Sequence, residues 1–203
     1  MKFIAKILGT LFLCSLFFFS CTTIPQVSRV DAGTQTDLSG YWNDTDLRIV
    51  CESLIRQCLD SPRVANFNMT QRRVPVILVG NFRNESDEHI DTAIISQTMA
   101  IAILNSGRAE FVAGGNTRSD LREERQDQQY NSSDATASAL GNETGADFML
   151  TGSVRTIIDR AGNTSTRTYF VTAELLNIET NASLWMGQNS EIKKVIRQPR
   201  NRL

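Results

Sequence analysis

Few residues in this chain could do chemistry: it carries four cysteines and one histidine among 203 residues. Cys21 has the clearest role. It follows an apolar run, Ile7 to Phe19, that is preceded only by the charges of Lys2 and Lys6. That run is roughly 13 residues long, against the ~20 a membrane-spanning helix needs, and it matches the core of a secretory leader. Ser20 then precedes Cys21, the arrangement of a lipobox, in which the thiol is acylated and residues 1–20 are removed. Phe18 and Phe19 stand where Leu and a small residue are usual, so the box is of a relaxed kind. Cys14 is the poorer candidate because bulky Leu13 precedes it. An unlipidated leader or an uncleaved anchor is the competing reading. Each buried CH₂ of an acyl chain contributes ~0.8 kcal/mol, so two or three chains hold a protein firmly to a membrane.

Loss of the leader leaves Cys51 and Cys58, on one face of an expected helix with Leu47, Leu54 and Ile55. Their seven-residue separation is ~10.5 Å of helical rise. That is too far for a disulfide, so two buried thiols are expected. His89 follows Glu85, Asp87 and Glu88 in a polar turn. It has no second imidazole nearby and no helical ligand spacing, so a structural role is expected of it and no metal site. No P-loop, Gly-x-Gly-x-x-Gly or Gly-x-Ser-x-Gly motif occurs. The sequence therefore reads as a non-enzyme without cofactor.

The exported part keeps 19 basic and 22 acidic side chains, a formal charge of −3, which gives no bias toward nucleic acid. The C-terminal stretch is locally basic, with Lys193, Lys194, Arg197, Arg200 and Arg202. It reads as a solvated tail, or as a patch drawn to an anionic surface.

The elements expected to position these residues run as follows. Residues 21–43 are polar and aperiodic, a tether closed by Tyr41 and Trp42. Asp44 or Thr45 caps a helix to about Asp60, which Ser61-Pro62 ends. Val74 to Gly80 is a buried strand, and Asn81 to Glu88 a turn. Asp91 caps a helix over Thr92 to Asn105, and Gly107 stops it. Glu110 to Val112 is a short strand, Asp120 to Tyr130 a surface helix, and Ser133 to Leu140 a small-residue helix. Asp147–Ile158, Thr166–Ile178 and Ser183–Ile196 form an antiparallel meander. The fold class expected is α/β, one domain over residues 44–197 with a basic tail at 198–203. A mixed sheet of four to five strands is packed by about four helices.

Several blocks resemble a known family: Asn81 to Thr92, Leu104 to Val112, Thr144 to Gly152, Leu176 to Gly187 and Glu191 to Lys194. Together they resemble the LpoB-type lipoproteins, activators of penicillin-binding proteins, over about residues 45–197. Pieces around Thr144-Gly-Ala-Asp147 and Leu184-Trp185 are shared with wider relatives, including curli-secretion-type lipoproteins. The resemblance implies an α/β domain that docks on a bifunctional peptidoglycan synthase and favours its active conformation. A structural or secretion-associated envelope lipoprotein is the alternative. The family members compared carry a long linker. Here roughly 22 residues, at most ~75 Å extended, follow Cys21. Thr22 in place of Asp points to the outer membrane over the inner, on the periplasmic side. On physical grounds the docking candidates are Arg155, Arg167 and Tyr169, taken as exposed meander residues of the types enriched at binding hot spots.

Overall fold

The computed structural model describes residues 28–31, 33–34, 37–133 and 135–198. The leader, Cys21, Arg200 and Arg202 lie outside the described residues. The chain divides into two units, Met1–Thr34 and Gln35–Leu203. In the first, Asp31 closes a turn by accepting the Thr34 amide at 3.0 Å.

The second unit holds every helix and strand of the described residues. Helix α1 spans Asp44–Leu59. Asn43, not Asp44 or Thr45, is its cap: Asn43 accepts from the Asp46 amide and Asp46 accepts in return from Asn43. Such a reciprocal box satisfies two otherwise orphaned donors. Asp44 instead sits in the first turn, where a carboxylate favours the helix dipole. Ser61-Pro62 does end α1 but also starts α2, Pro62–Gln71, with Ser61 capping Val64 and Pro62 in the first turn.

Strand β1, Val76–Asn84, leads through α3, Thr92–Ser106, to the short β2, Glu110–Phe111. Asp91 caps α3, and Gly107, at φ 64°, ends it in the left-handed conformation, as the sequence indicates. Helix α4, Gly115–Asn131, carries no buried residue. No helix follows it among the described residues. Ser133 closes a single turn onto Thr136 and Ala137. The one large apolar residue of the expected helix over 133–140, Leu140, is 56% exposed and does not offset the cost of nucleation.

The long strands β3, Phe148–Ala161, and β4, Thr164–Asn177, form the centre of the sheet. The last expected strand divides into β5, Ser183–Asn189, and β6, Lys193–Arg197, each antiparallel to β4 at a different half of its length. The sheet is therefore mixed and six-stranded, one strand more than expected, in the order β2-β1-β3-β4-β5 with β6 also on β4. β1 pairs in parallel with β2 and β3, as a strand–helix–strand crossover requires.

The core lies between one sheet face and helices α1 and α3. Phe148, Leu150, Val154, Val171, Ala173 and Leu175 meet Val50, Leu54, Ile95, Met99 and Ile103 there. A bulge in β1 between Val79 and Phe82 brings Phe82 into that core. Phe82 packs against Gly152, where a Cβ would lie 2.1 Å from the Thr172 carbonyl oxygen, so only glycine fits. Cys51 and Cys58 are buried and unpaired, as expected, and burial pushes both thiols up to about 12. Asp147, of the Thr-Gly-Ala-Asp block, joins β1 to β3. It accepts from the Val76 amide at 2.8 Å and from both Arg73 nitrogens at 2.6 and 2.7 Å. No described helix is long and apolar enough to cross a membrane.

Candidate functional site

The polar stretch after β1 is a built loop. The Asn84 side-chain Oδ1 accepts from the Ser86 amide and hydroxyl, while its Nδ2 donates to the Glu88 backbone carbonyl at 2.7 Å. One side chain thus folds the segment into a compact turn and presents Glu85, Asp87 and Glu88 to the meander.

Arg155, Arg167 and Tyr169 all bind this loop: Arg155 takes Glu85, Arg167 takes Asp87 and Glu88, and Tyr169 shares Glu88. Arg155 Nε donates to Glu85 Oε2 at 2.5 Å. Arg167 donates to Asp87 Oδ2 at 2.7 Å and Glu88 Oε1 at 2.5 Å. The Tyr169 hydroxyl donates to Glu88 Oε1 at 2.5 Å and lies 3.2 Å from the Gly40 carbonyl oxygen. Their exposure differs from expectation. Arg155 is on the surface, its side chain 64% exposed, but Arg167 is 7% exposed and Tyr169 1%. The reason is strand parity, since Arg167 and Tyr169 point to the same face as core residues Val171, Ala173 and Leu175.

A strap covers that end of the face. Asp37 to Asn43, expected to belong to the tether, packs across β4 and β6. The Tyr41 ring lies over the Arg167 guanidinium at 4.9 Å, and Trp42 tilts on Tyr169 with centroids 5.3 Å apart. The Trp42 amide donates to Glu88 Oε2 at 3.0 Å. Lys194 fastens the other side, with Nζ 2.6 Å from Asp46 Oδ2, 2.9 Å from Asp37 Oδ1 and 2.7 Å from the Tyr41 carbonyl oxygen. Lys194 thus belongs to β6 and is 9% exposed, which corrects its reading as part of a solvated tail. Glu88 and Lys194 escaped the sequence reading because a charged residue in a polar run looks solvated. The period-two spacing of Ile192, Lys194 and Ile196, which puts Lys194 on the apolar face of the strand, was the available signal.

The electrostatics follow from this packing. The Thr156 hydroxyl, and then Arg167, hold the Asp87 carboxyl below the usual range. Burial would lower Arg167, but Glu88 and Asp87 outweigh it and hold the guanidinium up. Burial, and then Glu88, push the Tyr169 hydroxyl well above its ordinary value. Arg167 Nε is buried and has no hydrogen-bond partner among the described residues. Each of these shifts favours a fixed ion cluster. His89 is exposed beside it and lines a cleft with Tyr41, Trp42 and Asp91. No group of metal-ligating side chains occurs among the described residues.

Comparison with known proteins identifies the domain. Solved structures similar to the chain include the LpoB C-terminal domain of Escherichia coli, 17% identical, covering 75% of this chain and 99% of that one, at a TM-score of 0.46. The LpoB C-terminal domain of Salmonella enterica gives 17%, 75%, 99% and 0.43 on the same measures. A lipoprotein from Neisseria meningitidis gives 22%, 63%, 88% and 0.38. Curated proteins give no match. A family model described as the peptidoglycan-synthase activator LpoB matches residues 46–190, from the first turn of α1 past the end of β5. On that match, which takes in most of the folded unit, the chain belongs to the LpoB family of peptidoglycan-synthase activators.

Proposed function

We propose that the protein is a non-catalytic activator held to a membrane by lipid on Cys21, which binds a bifunctional penicillin-binding protein and favours its active conformation. The family match over residues 46–190 carries the reading. A domain whose best-buried charged groups are spent on holding one loop and one strap acts by its surface. Binding energy that differs between two states of the enzyme is enough to shift their populations. Arg155, exposed on β3 beside Glu85, is the docking residue the surface offers. Arg167 and Tyr169 act from beneath, by fixing the loop. The strap takes up Asp37 to Asn43, so roughly 15 residues are left between Cys21 and the strap, at most ~50 Å if extended. The test adds the protein without its leader to the cognate synthase and follows glycan polymerisation and crosslinking. A rise is expected, reduced by Arg155→Ala. No change at saturating protein refutes the reading.

A further inference from the structure

Strand β3 outruns one of its neighbours. It pairs with β4 along its whole length, Phe148–Ala161, but β1 accompanies it only as far as Val154, opposite Asn84. From Arg155 to Ala161, roughly 23 Å of strand, one edge of β3 has no strand beside it. The Val154 carbonyl oxygen, which accepts from the Glu85 amide, points to that side. Backbone direction alternates along a strand, so Thr156, Ile158 and Arg160 turn their N–H and C=O groups the same way. None of these groups meets a backbone partner among the described residues.

An open edge is a template for another strand, and native edges are blunted by Pro, Lys or a bulge. Residues 155–161 hold no Pro and no Lys, and their pairing with β4 runs without a bulge. Ile157 stands 60% exposed at the middle of the segment. The charges here are of both signs. Arg155 and Asp159 lie on the sheet face away from α1 and α3, and Arg160 lies on the other, with Ser165. Asp159 and Arg160 form no ion pair among the described residues. Arg155 gives only its Nε to Glu85, which leaves its two terminal nitrogens for a further acceptor.

We propose that this edge pairs antiparallel with the same edge of a second copy of the chain, about a two-fold axis beside Ile158. Ile158 then faces its own copy, Thr156 faces Arg160 of the second copy, and every outward N–H and C=O of the three residues is paired. Both neighbouring registers are worse. A two-residue shift one way puts Arg160 of the second copy beside Val154, where Asn84 already sits. The opposite shift sets Asp159 against Asp159 of the second copy, and like charges directly opposite repel. In the central register Arg155 lies diagonal to Asp159 of the second copy, within reach of a long side chain. Arg160 of the second copy stands over Thr156, whose hydroxyl holds Asp87. Each contact occurs twice, as a self-complementary interface requires. Ala161 stands opposite Arg155, the first residue past β1, and Gly162, at φ 56°, turns the chain away. This pairing follows from the sheet alone and does not depend on the proposed function.

The leaderless protein is followed by sedimentation velocity and amide exchange from about 20 µM to about 1 mM, a range that spans a small, weak interface. The sedimentation coefficient is expected to rise toward that of a dimer. Exchange of the Thr156, Ile158 and Arg160 amides should slow about fivefold over that range. The Ile157 and Asp159 amides, which face β4 in either state, should not change. Ile158→Pro removes one outward N–H without touching the β4 ladder and should weaken association at least about tenfold. Asp159→Lys sets a like charge near Arg155 of the second copy and should weaken it about threefold. Thermal unfolding checks that both variants fold; if Ile158→Pro does not, Asp159→Lys and the amide pattern decide. A monomer at every concentration, constant exchange at the three amides, or unweakened association of the folded variants overturns the proposal. Concentration-dependent protection along β5 instead places the contact on another edge and also overturns it. Slowing of the three amides only when the synthase is added gives the edge to that partner and excludes the second copy.

Discussion

Glu88→Gln isolates what the buried ion cluster contributes. The side chain is 6% exposed and its two oxygens accept from Arg167, Tyr169 and the Trp42 amide. Glutamine keeps the shape but offers one acceptor. If its oxygen stays on Arg167 and Tyr169, its amide nitrogen faces the Trp42 N–H, donor against donor. Removing one member of a buried ion pair costs about 3–5 kcal/mol. Asp87 remains 2.7 Å from Arg167, so the lower end applies, about 3 kcal/mol. In a domain of this size that lowers Tm by about 6–12 °C. Thermal unfolding by circular dichroism measures it, with Trp42 fluorescence reporting release of the strap. The partner variant Arg167→Met leaves Glu88 and Asp87 facing apolar surface. With both substitutions the loss should fall below the sum by at least about 1.5 kcal/mol, the coupling expected of contacting residues. Arg155→Ala is the internal control: its pair with Glu85 is largely exposed and should be worth at most about 1 kcal/mol. A Glu88→Gln loss under about 1 kcal/mol with additive doubles would refute the claim that this cluster fixes the loop and strap.

Other consequences are as direct. Burial holds the Cys51 and Cys58 thiols near 12, so neither should react with a thiol-specific disulfide reagent at pH 8 until guanidinium unfolds the domain. The Arg73 hydrogen bonds, above all, depress the Asp147 carboxyl below its ordinary value. A depressed carboxylate stabilises above its unfolded pKa of ~3.9 and loses that contribution as pH falls through the folded value. The stability gap between the protein and Asp147→Asn, measured by urea unfolding, should therefore be constant above about pH 5 and shrink toward pH 3. Gly152→Ala should cost about 1–3 kcal/mol, because the Thr172 carbonyl and the Phe82 ring must both move; an unchanged unfolding midpoint would show the strand contact to be loose.

Much of the fold was legible where one local rule decides an element. Asp91 and Gly107 bracket α3 because a side-chain acceptor and a left-handed residue are needed at those two ends and few other types supply them. Ser61-Pro62 was legible only in part, since the same pair that stops one helix starts the next. The division of the last strand into β5 and β6 needs the turn at Asn189, whose side chain accepts from the Glu191 amide, and no periodicity announces that.

The candidate site shows a different limit. Tyr169 and Phe170 are both aromatic, so over Thr166 to Phe170 neither parity looks the more apolar. Farther along β4 the choice is clear: Val171, Ala173 and Leu175 point inward together. Nothing in β4 interrupts its pairing with β3 from Thr164 to Asn177, so that parity must carry back through Tyr169 to Arg167. An arginine on a core face demands buried carboxylates, and Glu85-Ser-Asp87-Glu88 was the acidic run at hand. The exposed docking pair inferred from residue type is, by strand parity alone, a buried clamp on that loop. Arg155, with the opposite parity on β3, is the member of the three that stays exposed.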